Sequence, residues 1–192
     1  GKTNLPIGCN DVQTYNPVYG TTSNPFDLSR TPGGSSGGSA AALCAGFSAL
    51  ELGGDIGGSI RLPAACCGIF GHKSTLGAIP FSSGPSWTPD IVVKGPLSRS
   101  AHDLAVALQE MAHVEGPAKR AFTLTLPTCE KKNLQQFRVA VWADHAICPV
   151  DSDMRAAMQD LVTRLRAAGC QTVEEEAFPF QCKWGWKGGP AR

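Results

Sequence analysis

Apolar and polar positions divide the chain into a half rich in small residues and an amphipathic half. From Ser39 to Leu52 the run Ser-Ala-Ala-Ala-Leu-Cys-Ala-Gly-Phe-Ser-Ala-Leu-Glu-Leu is apolar almost all round, and Glu51 is its one charge. Alanine-rich sequence of that kind predicts a buried helix. Glycine pairs around serine flank it, at Gly33–Ser39 and Gly53–Ser59, and predict sharp loops that present hydroxyls and backbone N–H groups. Residues 66–79 mix glycine with apolar positions and predict short buried strands. Ser100–Ala112 predicts a helix, with Ser100 as N-cap, Asp103 three residues on, and Leu104, Leu108 and Met111 on one face. Phe137–Ala143 alternates as a strand does. Asp151–Ala168 is amphipathic on the stripe Met154, Met158, Leu161 and Leu165, Gly169 stops it, and Gln171–Val173 reads as a second strand. This β-α-β unit, about 137–175, predicts an α/β fold.

The intervening stretches are polar. Asn16-Pro17, Asn24-Pro25 and Thr31-Pro32 break residues 1–32 into loops with room for one short strand or helix. Residues 80–90 are a proline-rich loop and 114–136 a polar connector. The 192 residues fit a single domain. Seventeen Lys and Arg against sixteen Asp and Glu leave a net charge of +1, with no basic run, so neither a nucleic-acid nor a membrane partner is expected. No apolar run is long enough to span a bilayer, and the first residues do not have the pattern of a signal peptide. The eight cysteines contain no C-x-x-C pair and are expected as reduced thiols in a cytoplasmic protein, without a metal site. The tail beyond about residue 180 has no periodicity, and whether it is native is left open.

The chemistry concentrates in the two serine loops. A serine hydroxyl needs a base to become a nucleophile, and the ordinary base is a histidine held by a carboxylate. His72, His102, His113 and His145 lie in no motif that marks such a histidine. Gly33-Gly-Ser-Ser-Gly37 satisfies G-x-S-x-G, but a nucleophile elbow needs a buried strand before it, and Asn24–Pro32 is polar and broken by prolines. A P-loop is excluded because no Gly-Lys-Ser/Thr follows the glycines. Asp55 and Arg61 flank Ser59 and are expected to hold its loop through an ion pair or backbone hydrogen bonds.

Thr31-Pro-Gly-Gly-Ser-Ser-Gly-Gly-Ser39 followed by Leu52-Gly-Gly-Asp-Ile-Gly-Gly-Ser-Ile-Arg61 resembles the amidase signature family, whose two serines have the 24-position separation of Ser35 and Ser59. The likeness extends back to Gly1-Lys-Thr-Asn4 and forward through Cys67-Gly68, Gly71-His-Lys73 and Gly95-Pro-Leu-Ser-Arg-Ser100. It covers residues 1 to about 112 closely and 137–176 loosely, with the signature core at about 24–75. It implies the family fold, a mixed β-sheet core flanked by helices. It also implies an amide hydrolase acting through a Ser-cisSer-Lys triad, with no metal or organic cofactor. By position Ser59 is the nucleophile, Ser35 the bridging serine on a cis Gly34–Ser35 bond, and the N–H groups of Ile56, Gly57, Gly58 and Ser59 the oxyanion hole. Cys9 falls where the family lines its substrate channel.

The triad's lysine lies in an upstream motif that this sequence does not contain, and Lys2 and Lys73 belong to other family segments. The chain is therefore expected to be an internal fragment, truncated at both ends and inactive by itself. Gly54 stands where threonine or serine is usual, and Ser74 where proline is usual. The expected partner is a small-molecule amide, and a homodimer is left open. The resemblance admits a free-standing amidase, the main reading, or the catalytic (A) subunit of a tRNA-dependent glutamyl/aspartyl amidotransferase.

Overall fold

The computed structural model describes residues 1–80, 91–144 and 149–174. Most of the expected 80–90 loop, His145 and the tail beyond residue 180 lie outside the described residues. The chain forms two compact units, Gly1–Leu126 and Pro127–Arg192.

The polar start of the first unit holds a short antiparallel pair, β1 (Tyr15–Asn16) and β2 (Gly20–Thr21), after one 3-10 turn at Ile7–Cys9. The apolar run then departs from expectation. It is a short helix, α1 (Gly37–Cys44), followed by a strand, β3 (Leu50–Asp55). The break is made by Gly46, whose φ of 78° an L side chain rarely adopts. Gly46 N–H donates to the Leu43 carbonyl at 3.0 Å and Phe47 N–H to Ala42 at 2.8 Å, the crossed bonds that close a helix at glycine. Exposure changes across the break too: Ala40 and Leu43 are fully buried, whereas Phe47 is 85% exposed and Leu50 and Leu52 lie at the surface.

Helix α2 (Arg61–Cys66) follows Ser59, where the sequence pattern predicts no helix. Pro63 sits in its first turn, where a missing N–H breaks no helical bond. Of the short strands expected over 66–79, one is present, β4 (Phe70–Gly71), and Phe70 is exposed rather than buried. The sheet has the order β3-β5-β4, with β5 (Val93–Ser98) central and both pairings antiparallel. Register places Gly53 opposite Gly95 and Gly54 opposite Lys94. The core gathers Ala40 and Leu43 from α1, Ile60 and Cys67 from the ends of α2, and Leu97 from β5. Helix α3 (Ala101–Met111) begins as predicted, with Ser100 Oγ accepting from Asp103 N–H at 3.0 Å. Ala107 is its buried residue, and Leu104, Leu108 and Met111 beside it are half-buried.

The second unit is the predicted β-α-β. Strands β6 (Arg138–Val141) and β7 (Gln171–Glu174) pair in parallel through α4 (Ser152–Ala167). Asp151 caps α4 by accepting from Asp153 N–H at 3.0 Å, and Gly169, with φ 83°, follows its end. The apolar stripe is rotated from expectation. Val162 is the buried residue, Met158 and Leu165 are half-buried, and Met154 and Leu161 are exposed.

Candidate active site

The two serine loops meet. Ser36 N–H donates to the Ser59 carbonyl at 3.2 Å, which ties the start of α1 to the start of α2. The peptide bond Gly34–Ser35 is cis. The first loop is seated from outside: buried Thr14 donates its hydroxyl to the Gly33 carbonyl at 2.9 Å. Ser39, one turn into α1, shares a hydroxyl hydrogen bond of 2.8 Å with Thr3. Glycine is required here for space. A Cβ on Gly34 would lie 2.5 Å from the Asp11 carbonyl oxygen, and one on Gly53 would lie 2.7 Å from Ser36 Oγ. The bare strand at Gly53 is what lets the first loop press against β3.

The second loop is wound around Asp55. Its carboxylate is fully buried. Oδ1 accepts from Gly58 N–H at 2.9 Å and Oδ2 from Ile60 N–H at 3.1 Å. The Arg61 guanidinium forks onto it, with Nε to Oδ2 at 3.1 Å and Nη2 to Oδ1 at 2.9 Å. Burial by itself would raise the Asp55 pKa. The Arg61 side chain and the N–H groups of Ile60, Gly58 and Arg61 outweigh burial and hold it down to about 2. Every strong acceptor site of this carboxylate is committed to its own loop, so Asp55 is a brace and not a base.

Both serines open on one concavity of about 910 Å³, also lined by Ile56 and Cys9. Ser35 is buried to 6% exposure and Ser59 is half-buried. Cys9 is exposed and has a positive φ of 55°. Gly57 and Gly58 lie in the same loop but do not line the concavity. The Gly58 N–H departs from its expected role as an oxyanion donor, because Asp55 already accepts it at 2.9 Å.

Among the described residues no histidine lines the concavity, whereas Lys2 and Lys94 do. Lys73 lies elsewhere, its Nζ donating to the Ser74 carbonyl at 3.4 Å. Nothing in the sequence singles out Lys94. Its place depends on the β3–β5 register, which joins residues forty positions apart and leaves no local signal.

The α/β fold thus brings two glycine-flanked serines, Ser35 and Ser59, to one concavity. The Amidase family model matches residues 1–183. The A subunit of Glutamyl-tRNA(Gln) amidotransferase from Synechococcus sp. (strain JA-2-3B'a(2-13)) is 34% identical over 184 residues, covering 94% of this chain and 36% of the relative. The solved structure of the corresponding Glutamyl-tRNA(Gln) amidotransferase A subunit from Thermotoga maritima superposes with TM-score 0.80 at 27% identity, over 91% of this chain and 39% of that one. The structure of 6-aminohexanoate cyclic dimer hydrolase complexed with substrate gives TM-score 0.76 at 34% identity, over 91% of this chain and 38% of its own. This chain belongs to the amidase family, and its α/β architecture is the amidase signature fold. It spans little more than a third of the length of these relatives.

Proposed function

We propose that this site cleaves a carboxylic amide through an acyl-enzyme on Ser59. The observation that carries the reading is the hydrogen bond from Ser36 N–H to the Ser59 carbonyl, 3.2 Å, which brings the two serine loops to one concavity. Ser59 Oγ attacks the amide carbon while its proton passes to Ser35. The oxyanion is met by backbone donors of the second loop, Ile56, Gly57 and Ser59. Collapse expels the amine, which takes up the proton, and water then releases the acid by the same route in reverse. Ser35 passes its proton to a lysine, for which this sequence holds no counterpart to the family motif. The six described cysteines are free thiols, which supports a cytoplasmic setting.

A fluorophosphonate probe followed by peptide mapping tests the reading. Label on Ser59 is expected, and label on Ser35 or Ser36 with Ser59 unmodified would overturn it.

A second reading has its own support, since curated relatives at 34–37% identity are named as the A subunit of Glutamyl-tRNA(Gln) amidotransferase. In that reading the same amide cleavage serves a complex. Co-purification with partner proteins and glutaminase activity that depends on tRNA distinguish it from a free-standing amidase, which would show neither.

A further inference from the structure

We propose that Thr14 is a positioning residue for the serine relay: its hydroxyl sets the orientation of the Gly33–Gly34 backbone from which Ser35 is presented to Ser59. The inference rests on the amide-cleaving reading of the site. Gly33 and Gly34 carry no side chains, and Gly33 has a φ of 80°, so nothing within the pair selects one backbone orientation over others. The constraint comes from outside the loop. Fully buried Thr14 donates its hydroxyl to the buried Gly33 carbonyl at 2.9 Å, and among the described residues it is that carbonyl's one hydrogen-bond donor. A backbone acceptor buried there without it would be unpaired, which makes this single bond the one that holds the peptide plane two residues before Ser35.

Thr14 also meets the far end of the serine loop. A Cβ on Gly37, the first residue of α1, would lie 2.3 Å from Thr14 Oγ1 and 3.0 Å from Thr14 Cβ. The threonine side chain is thus wedged against the glycines on both sides of Ser35 and Ser36. Its own backbone is held: the Thr14 carbonyl accepts from Thr22 N–H at 2.9 Å, and the next residue, Tyr15, pairs with Thr21 across β1 and β2. Past Ser35 the loop is tied to the second serine loop by the 3.2 Å bond from Ser36 N–H to the Ser59 carbonyl. Ser35 lies between these two ties, and only the Thr14 one depends on a side chain. Thr14 does not line the concavity, so it governs where the Ser35 hydroxyl points and not what the concavity holds.

The test follows the labelling of Ser59 by a fluorophosphonate as probe concentration is raised, which separates apparent affinity from maximal labelling rate. Thr14→Val keeps the side-chain shape and removes the donor. Its maximal rate is expected to fall about tenfold, the size of one lost buried hydrogen bond, with apparent affinity unchanged. Thr14→Ser restores the hydroxyl and should regain most of the wild-type rate. In a Ser35→Ala background Thr14→Val should slow labelling no further, because both changes break the same step. A wild-type rate in folded Thr14→Val, a Thr14→Ser chain as slow as Thr14→Val, or additive slowing on Ser35→Ala each overturns the positioning role and leaves the amide-cleaving reading standing. If circular dichroism shows Thr14→Val unfolded, Thr14→Cys replaces it: its thiol is a weak donor, so slowed labelling is expected and a wild-type rate overturns the role. Absence of label on Ser59 in the wild-type chain overturns both.

Discussion

Asp55 takes the Arg61 guanidinium in a two-point fork, Nε to Oδ2 at 3.1 Å and Nη2 to Oδ1 at 2.9 Å, and in doing so closes the loop that carries Ser59. The carboxylate is fully buried and the Arg61 side chain is half in solvent, so removing the acid strands three backbone N–H groups and a cation beside a cavity. Asp55→Ala is expected to cost about 3 kcal/mol in chemical denaturation. A loss below about 1 kcal/mol would show that the brace is dispensable.

The same pair sets an acid dependence. The Asp55 pKa is lowered from 3.8 to about 2 in the folded chain. A depressed carboxylate adds stability above its unfolded value and loses it as pH falls toward the folded one. About 2 kcal/mol should therefore drain away between about pH 4 and pH 2. Urea midpoints measured across that window are expected to fall less steeply in Asp55→Asn than in the wild-type chain.

Ser35 and Ser59 are expected to separate by their effects. Ser59→Ala should abolish acylation by a fluorophosphonate. Ser35→Ala should keep the fold and slow turnover by about 10²–10⁴, the range of a lost proton relay. Circular dichroism checks the fold and amide hydrolysis checks the rate. Near wild-type turnover in Ser35→Ala would remove the relay from the mechanism.

Gly95 faces the His72 carbonyl so closely that a Cβ there would collide with backbone that β4 and β5 hold in place. Gly95→Ala is expected to destabilise the first unit by about 3 kcal/mol or more, since a backbone oxygen cannot yield as a side chain does. Gly54→Ser is the matched control. Its Cβ would meet nothing closer than 3.9 Å, and its stability should stay within about 0.5 kcal/mol of the wild type. Thermal melts of the two variants decide the comparison.

Arg99 clamps the turn between α1 and β3, donating Nη1 to the carbonyls of Leu43 at 2.9 Å and Ser48 at 2.7 Å. Arg99→Met keeps the aliphatic stem and removes both donors. The expected loss is about 1–2 kcal/mol, with hydrogen exchange speeding first in the 45–50 segment.

Features set by bonds between near neighbours are legible in the sequence. The Ser100 cap, the Asp151 start and Gly169 stop of α4, and the β-α-β order each depend on residues within a few positions, and each is present. The pairing of Asp55 with Arg61 spans six residues and is legible for the same reason. Where a local signal competes with a stronger pattern, the pattern misleads. Gly46 marks the end of α1, but the apolar run through Leu52 hides it, because composition cannot tell a buried helix from a strand that leaves one face open. The stripe of α4 falls one residue from its expected place for a related reason: periodicity gives the spacing of a face, while the neighbouring strands choose Val162 over Leu161. Tertiary structure alone decides the rest. The Gly58 N–H goes to Asp55 because a buried carboxylate must have its acceptors filled, a demand that arises only on burial. Lys94 reaches the concavity because β5 lies antiparallel to β3 in one particular register. A shift by one residue would turn its charge to the opposite face, since strand side chains alternate with a period of two.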